Sequence, residues 1–185
     1  MWKIPVYSWL QRRVGSTAHF LLESAGDRSN VTQELPPNVK AEIEEACKAA
    51  GVTLIDLEVR GQHRQLKLDV SIDALEGIQL EQCRSVSRGI DDRLAEDEFF
   101  SRLQAVDVSS PGAEAPVKFL WQLTKHVGRT VRVTKTDSTV LEGKLQRADE
   151  SGLDLQPKGT KNRPEPLVTI PSDGILTAHV VISFS

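Results

Sequence analysis

The chain has 185 residues, 39% hydrophobic and 26% charged, which is enough apolar material for one well-packed domain or two small ones and too much for a disordered polymer. Its formal charge of −3 conceals an asymmetry: residues 36–110 carry nine Lys/Arg against fifteen Asp/Glu, whereas residues 111–185 carry ten against eight. The overall balance excludes a uniformly basic nucleic-acid binder, and the opposite signs of the halves predict surfaces that meet different surroundings.

The chain opens with MWKIPVYSWLQRRVGSTAHFLLESAG, in which Gln11, Arg12 and Arg13 interrupt any secretory core and no apolar run is long enough to span a bilayer. Residues 1–35 are expected to form a loosely ordered extension, with a short amphipathic helix as the alternative. Regular patterning begins after Pro36 and Pro37. Val39, Ile43, Ala46, Cys47 and Ala50 recur at helical spacing until Gly51, which predicts an amphipathic helix. In TLIDLEVR, Ile55, Leu57 and Val59 alternate with polar residues; after GQHR, Leu66, Leu68, Val70 and Ile72 do the same. Two half-buried strands forming a hairpin are predicted.

Helical spacing returns from Gln79 to Leu94, with Cys83, Val86, Ile90 and Leu94 on one face, and a third strand follows from about Leu103 to Val108. The order α-β-β-α-β predicts an α+β sandwich domain over residues 36–110, its two helices covering one face of the sheet. After Pro111 the segment KFLWQLTKHVGR reads as a short helix ended by Gly128, with Phe119, Leu120 and Leu123 on its apolar side. TVRVTK, VLEGKLQRA, GLDLQP, LVTIP and AHVVISF then read as five short strands, separated by a turn at Asp137 and Ser138, a turn at 149–152 and a solvated loop at 157–166. Five strands in so short a stretch predict a small closed or nearly closed barrel for residues 111–185, with Gly143 permitting a sharp bend or marking a bulge.

Cys47 and Cys83 sit at apolar helical positions rather than in a Cys-x-x-Cys pair, so both are expected in the core of a protein from a reducing compartment. No nucleotide or metal signature is present, and neither a cofactor nor a small-molecule substrate is expected. Ser109 and Ser110 with His19, His63, His126 or His179 as base would make a hydrolase, but no Gly-x-Ser-x-Gly or comparable motif supplies the geometry. The stretch VDVSSPG reads instead as an interdomain hinge: the hydroxyls of Ser109 and Ser110 satisfy backbone groups, Pro111 fixes a torsion and Gly112 lets the chain turn. Lys118, Lys125, Arg129, Arg132, Lys135, Lys144 and Arg147 are the candidates for contacting RNA phosphate. With only 5% aromatic residues, a folded RNA surface is a better target than single strands.

IQLEQCRSVSRGID, the joint VDVSSPG and the segment from Val127 to Phe184 together resemble the RimP ribosome maturation factors, over residues 36–185 in order. The resemblance implies a C-terminal Sm-like β-barrel domain after the α+β domain. It also implies a cytoplasmic, non-enzymatic factor that binds the free small ribosomal subunit, through ribosomal RNA and a basic ribosomal protein, while that subunit is being assembled. No membrane association is expected, and the protein is expected to be a monomer. On that reading Glu58, Asp69 and Asp73 are candidates for steering the basic protein. Family members often carry leucine, an acid, arginine and proline after the SSPG motif; here stand Ala113, Glu114, Ala115 and Pro116. If that arginine contacts RNA phosphate or pins the two domains in relatives, the task falls here to another base such as Lys118, Lys125 or Arg129. Gly152 stands where Sm-type uridine recognition needs an asparagine, so that mode is not supported. The alternative reading is an Sm-like RNA-binding regulator not tied to ribosomes.

Overall fold

The computed structural model describes residues 35–61, 65–112, 115–158 and 165–182. The expected extension up to residue 34, His19, His63, Ala113, Glu114, most of the loop at 157–166 and Phe184 lie outside the described residues.

Pro37 opens helix α1 (Pro37–Ala49), where its fixed φ suits the first turn and its missing N–H leaves no donor unpaired. The helix buries Val39, Ile43, Ala46 and Cys47, the face its spacing predicted. Strand β1 (Thr53–Arg60) pairs antiparallel with β2 (Leu66–Asp73), with Leu57 opposite Val70 and Val59 opposite Leu68. Helix α2 (Leu80–Leu94) starts where the Gln82 side chain accepts a hydrogen bond from the Gln79 N–H at 2.9 Å, and it buries Val86, Ile90 and Leu94. It is the crossover that lets β3 (Leu103–Ser109) lie parallel to β2, so the sheet order is β1-β2-β3. Both helices pack on one face of this sheet. The core between them includes Ile43, Leu68, Val70, Ile72 and Ile90, with Leu35 packed against it.

The segment expected as a short helix is a 3-10 helix, Leu120–His126. Five antiparallel strands follow: β4 (Thr130–Lys135), β5 (Val140–Asp149), β6 (Gly152–Pro157), β7 (Val168–Pro171) and β8 (Ile175–Val180). Their order is β7-β6-β5-β4-β8, with β7 and β8 at the two edges. The sheet is therefore not closed into the barrel that the strand count suggested. One reason is local: β7 has only four residues and ends in Pro171, which has no N–H to offer a neighbouring strand. The inner face carries a second core built on Leu123, Val131, Val133, Leu145, Leu153, Leu155 and Ile170, which shares no residue with the first.

The bulge in β5 falls between Leu145 and Arg147, not at Gly143. Gly143 is needed for a different reason: a Cβ there would stand 2.7 Å from the Gln156 carbonyl oxygen and 3.0 Å from Pro157 N, so only glycine lets β6 pass this close. Gly152 closes the tight β5–β6 turn at φ +149, a conformation that other residues rarely adopt.

Candidate functional site

Asp73 ends β2, one residue past the last apolar position of the strand, and is only 4% exposed. A buried carboxylate requires partners, and the segment leading into β4 supplies them. Gln122 Nε2 donates to Asp73 Oδ2 at 3.0 Å, Lys125 Nζ donates to Oδ1 and forms an ion pair with it, and the Ala74 N–H donates to Oδ1 at 2.8 Å. Gln122 is itself 3% exposed, and its Oε1 accepts from the N–H groups of Lys118 and Phe119, each at 3.0 Å. Lys118 Nζ then reaches Asp56 Oδ1 of β1 at 2.6 Å. These contacts tie the three-stranded sheet to the 3-10 helix through a satisfied polar network.

This joint changes the place of three residues singled out from the sequence. Asp73 is shielded inside it rather than displayed for a basic partner, while Lys118 and Lys125 face carboxylates rather than solvent phosphate. Gln122, which sequence reasoning passed over, is the centre of the network. Its only signal is a polar side chain lodged between Trp121 and Leu123.

The expected hinge is built differently from its sequence reading. Ser109 is the last residue of β3, opposite Ser71, and both Ser109 and Ser110 are exposed. Neither hydroxyl hydrogen-bonds to another described residue. Pro111 is half-buried. Gly112 does not adopt a positive φ, and a Cβ added there would meet open space, so no steric demand for glycine exists at that position. The turn is made instead by the Ala115 N–H donating to the Gly112 carbonyl at 2.9 Å.

Most of the remaining basic candidates hold acids on their own sheet. Arg132 grips Glu142 with Nε at 3.1 Å and Nη2 at 3.0 Å, and Lys135 pairs with Asp137 at 2.8 Å. Arg147 lies between Asp154, at 2.7 Å, and Asp149. Hydrogen bonds to these two carboxylates hold the guanidinium pKa above its ordinary value, and the same contact is the first cause of the lowered Asp154 pKa. Of the seven basic candidates, Arg129 and Lys144 are the exposed ones that form no ion pair with a described residue. They are neighbours: Thr130 pairs with Lys144 across β4 and β5, and the Leu145 N–H donates to the Arg129 carbonyl at 2.8 Å.

On the sheet face opposite the helices, Glu58 pairs in register with Asp69, and Asp69 with Asp107 of β3, giving three carboxylates in one row. Arg60 sits across two of them, with Nη2 2.7 Å from Glu58 and Nε 2.9 Å from Asp69, and those acids raise its pKa, Glu58 most. Asp107 was missed from the sequence because its place in the row depends on β3 running parallel to β2. Among the described residues no group of three His, Cys, Asp or Glu side chains is placed to hold a metal ion, and no helix is long and apolar enough to cross a membrane.

Comparison with known proteins gives these surfaces a context. Residues 42–114 match the family described as RimP N-terminal domain. A protein of Chlorobium chlorochromatii named ribosome maturation factor RimP is 34% identical over 135 residues, covering 65% of this chain and 75% of the relative. Proteins of the same name from Chlorobium luteolum and Pelodictyon phaeoclathratiforme are each 34% identical, over 128 and 119 residues; these cover 63% and 58% of this chain and 73% and 69% of the relatives. With a family domain across the first core and a named relative matched over three quarters of its length, the chain belongs to the RimP family of ribosome maturation factors.

Proposed function

We propose that this protein is a non-catalytic ribosome maturation factor of the cytoplasm that binds the free small ribosomal subunit during its assembly. Residues 36–110 and 111–185 act as two domains, the second an Sm-like module. The observation that carries the reading is the pairing of an acidic sheet face with a separate cationic patch on one polar joint. The Glu58–Asp69–Asp107 row suits a basic ribosomal protein, and Arg129 with Lys144 suits RNA phosphate. Separate cores support the two-domain division, and the membership in a family of maturation factors supports the ribosomal target.

Co-sedimentation tests the proposal. The purified protein is expected to travel with free small subunits and not with assembled ribosomes, as a monomer before binding. Equal binding to both particles, or a preference for free uridine-rich RNA in an oligomeric form, would overturn it. Charge reversal at Glu58 and Asp69 is expected to weaken capture of a basic ribosomal protein while leaving RNA contacts in place.

A further inference from the structure

Along the outer edge of β3, backbone, apolar surface and charge converge without a partner among the described residues. The sheet order leaves β3 bonded to β2 on one side and to no described strand on the other. A parallel edge strand directs the N–H and C=O groups of alternate residues outward. Proteins usually blunt such an edge with lysine, proline or a covering element. LQAVDVS contains neither residue, and it is bordered by a groove of about 360 Å³ between β3 and α2. Half-buried Phe100, Leu103 and Val106 give the groove an apolar lining, and Asp91 stands on its helical wall. Asp91 on the helix side and Asp107 on the opposite face are both exposed, and neither forms an ion pair with a described residue.

We propose that β3 takes up an extended segment of a partner protein as a fourth strand, and that this segment alternates apolar and Lys/Arg side chains. The inference rests on the proposed role in ribosome assembly, and names how the acidic half receives a basic protein. Side chains of an added strand point alternately to the two faces of the sheet. Those on the helix side lie against Phe100, Leu103 and Val106 within reach of Asp91. Those on the other side extend the row that begins at Glu58 and runs through Asp69 to Asp107. Charge narrows the occupant: RNA phosphate would be repelled by Asp91 and Asp107, and a second copy of β3 would bring the acids of two chains together. A strand with its apolar face in the groove and its Lys/Arg face over Asp107 fits both surfaces without bringing further negative charge to Asp91.

The test uses the full chain and a short synthetic peptide of alternating lysine and valine, with hydrogen exchange read residue by residue. Peptide binding is expected to slow exchange in residues 103–109 and leave β1 unchanged. A peptide N-methylated at alternate backbone nitrogens should bind weakly, because it cannot complete the ladder. The double variant Asp91→Lys, Asp107→Lys changes only exposed side chains and should bind the unmodified peptide at least about tenfold more weakly. Binding that slows no amide in β3, or that survives N-methylation, overturns strand addition; so does an edge that the free chain already protects. Co-sedimentation separates this result from the broader reading. Wild-type protein that travels with small subunits but shows no slowing in β3 sinks the strand proposal alone, whereas failure to travel with them sinks the proposed function.

Discussion

Replacing Asp73 by alanine removes one acceptor from three donors: Lys125 Nζ, Gln122 Nε2 and the Ala74 N–H. Gln122 is 3% exposed, so its amide would be left with little access to water, a loss of about 1–3 kcal/mol. The Lys125 side chain keeps 21% of its exposure and rehydrates in part, which places its share below the ~3–5 kcal/mol of a fully buried pair. Asp73→Ala should therefore lose about 3 kcal/mol of the coupling between the two cores, and Asp73→Asn, which keeps an acceptor but no charge, about 1–2 kcal/mol. Urea titration with a reporter in each core is expected to show their unfolding separate in Asp73→Ala, and small-angle scattering should show a broader distribution of distances. A double-mutant cycle with Lys125→Met should return a coupling above about 1 kcal/mol. A loss below about 0.5 kcal/mol together with an unchanged scattering curve would refute the assignment of this joint.

Other consequences are equally direct. Gly143→Ala should cost about 2 kcal/mol, read by thermal melting, because the new methyl meets β6 backbone rather than a movable side chain. Burial, aided by Glu44, pushes the Cys47 thiol pKa up to about 12, so a thiol reagent at mildly alkaline pH should label Cys47 only after unfolding and half-buried Cys83 before it. His126 has its pKa lowered from 6.5, first by burial and then by Lys125 and Arg129, with Asp73 opposing. The unfolded chain therefore binds its proton more readily, so the stabilisation is fully present above the ordinary value and is lost as pH falls below it through the lowered folded value. Urea midpoints should drop between about pH 7.5 and 5.5, less so in His126→Gln. Reversing Arg129 and Lys144 together should weaken small-subunit binding about tenfold or more and flatten its salt dependence, while Arg147→Ala, already engaged by two acids, should do much less.

Both long helices and the β1–β2 hairpin were legible because their burial repeats at 3.6 or 2 residues, and a repeat of that kind is written in the order of Val39, Ile43 and Cys47 or of Leu66, Leu68 and Val70. The mixed α+β character followed from those elements. Partners chosen across long stretches of chain were not legible. Asp73 reads as one more solvated acid until Gln122 and Lys125, 49 and 52 residues away, close over it. The same limit hid the row from Glu58 to Asp107, and it made five short strands suggest a closed ring when the edges remain apart. At Gly112 the residue type suggested a turn that needs glycine, whereas the backbone adopts a conformation open to most residues.

During synthesis every residue of the first core emerges from the translating machinery before Lys118, Gln122 and Lys125 do. A nascent chain can thus complete its acidic sheet while Asp73 is still hydrated, and the cost of drying that carboxylate is met only when its donors emerge. Orientation of the two halves is the last thing such a polypeptide acquires, and truncation before position 122 should yield a folded front half with no fixed bearing.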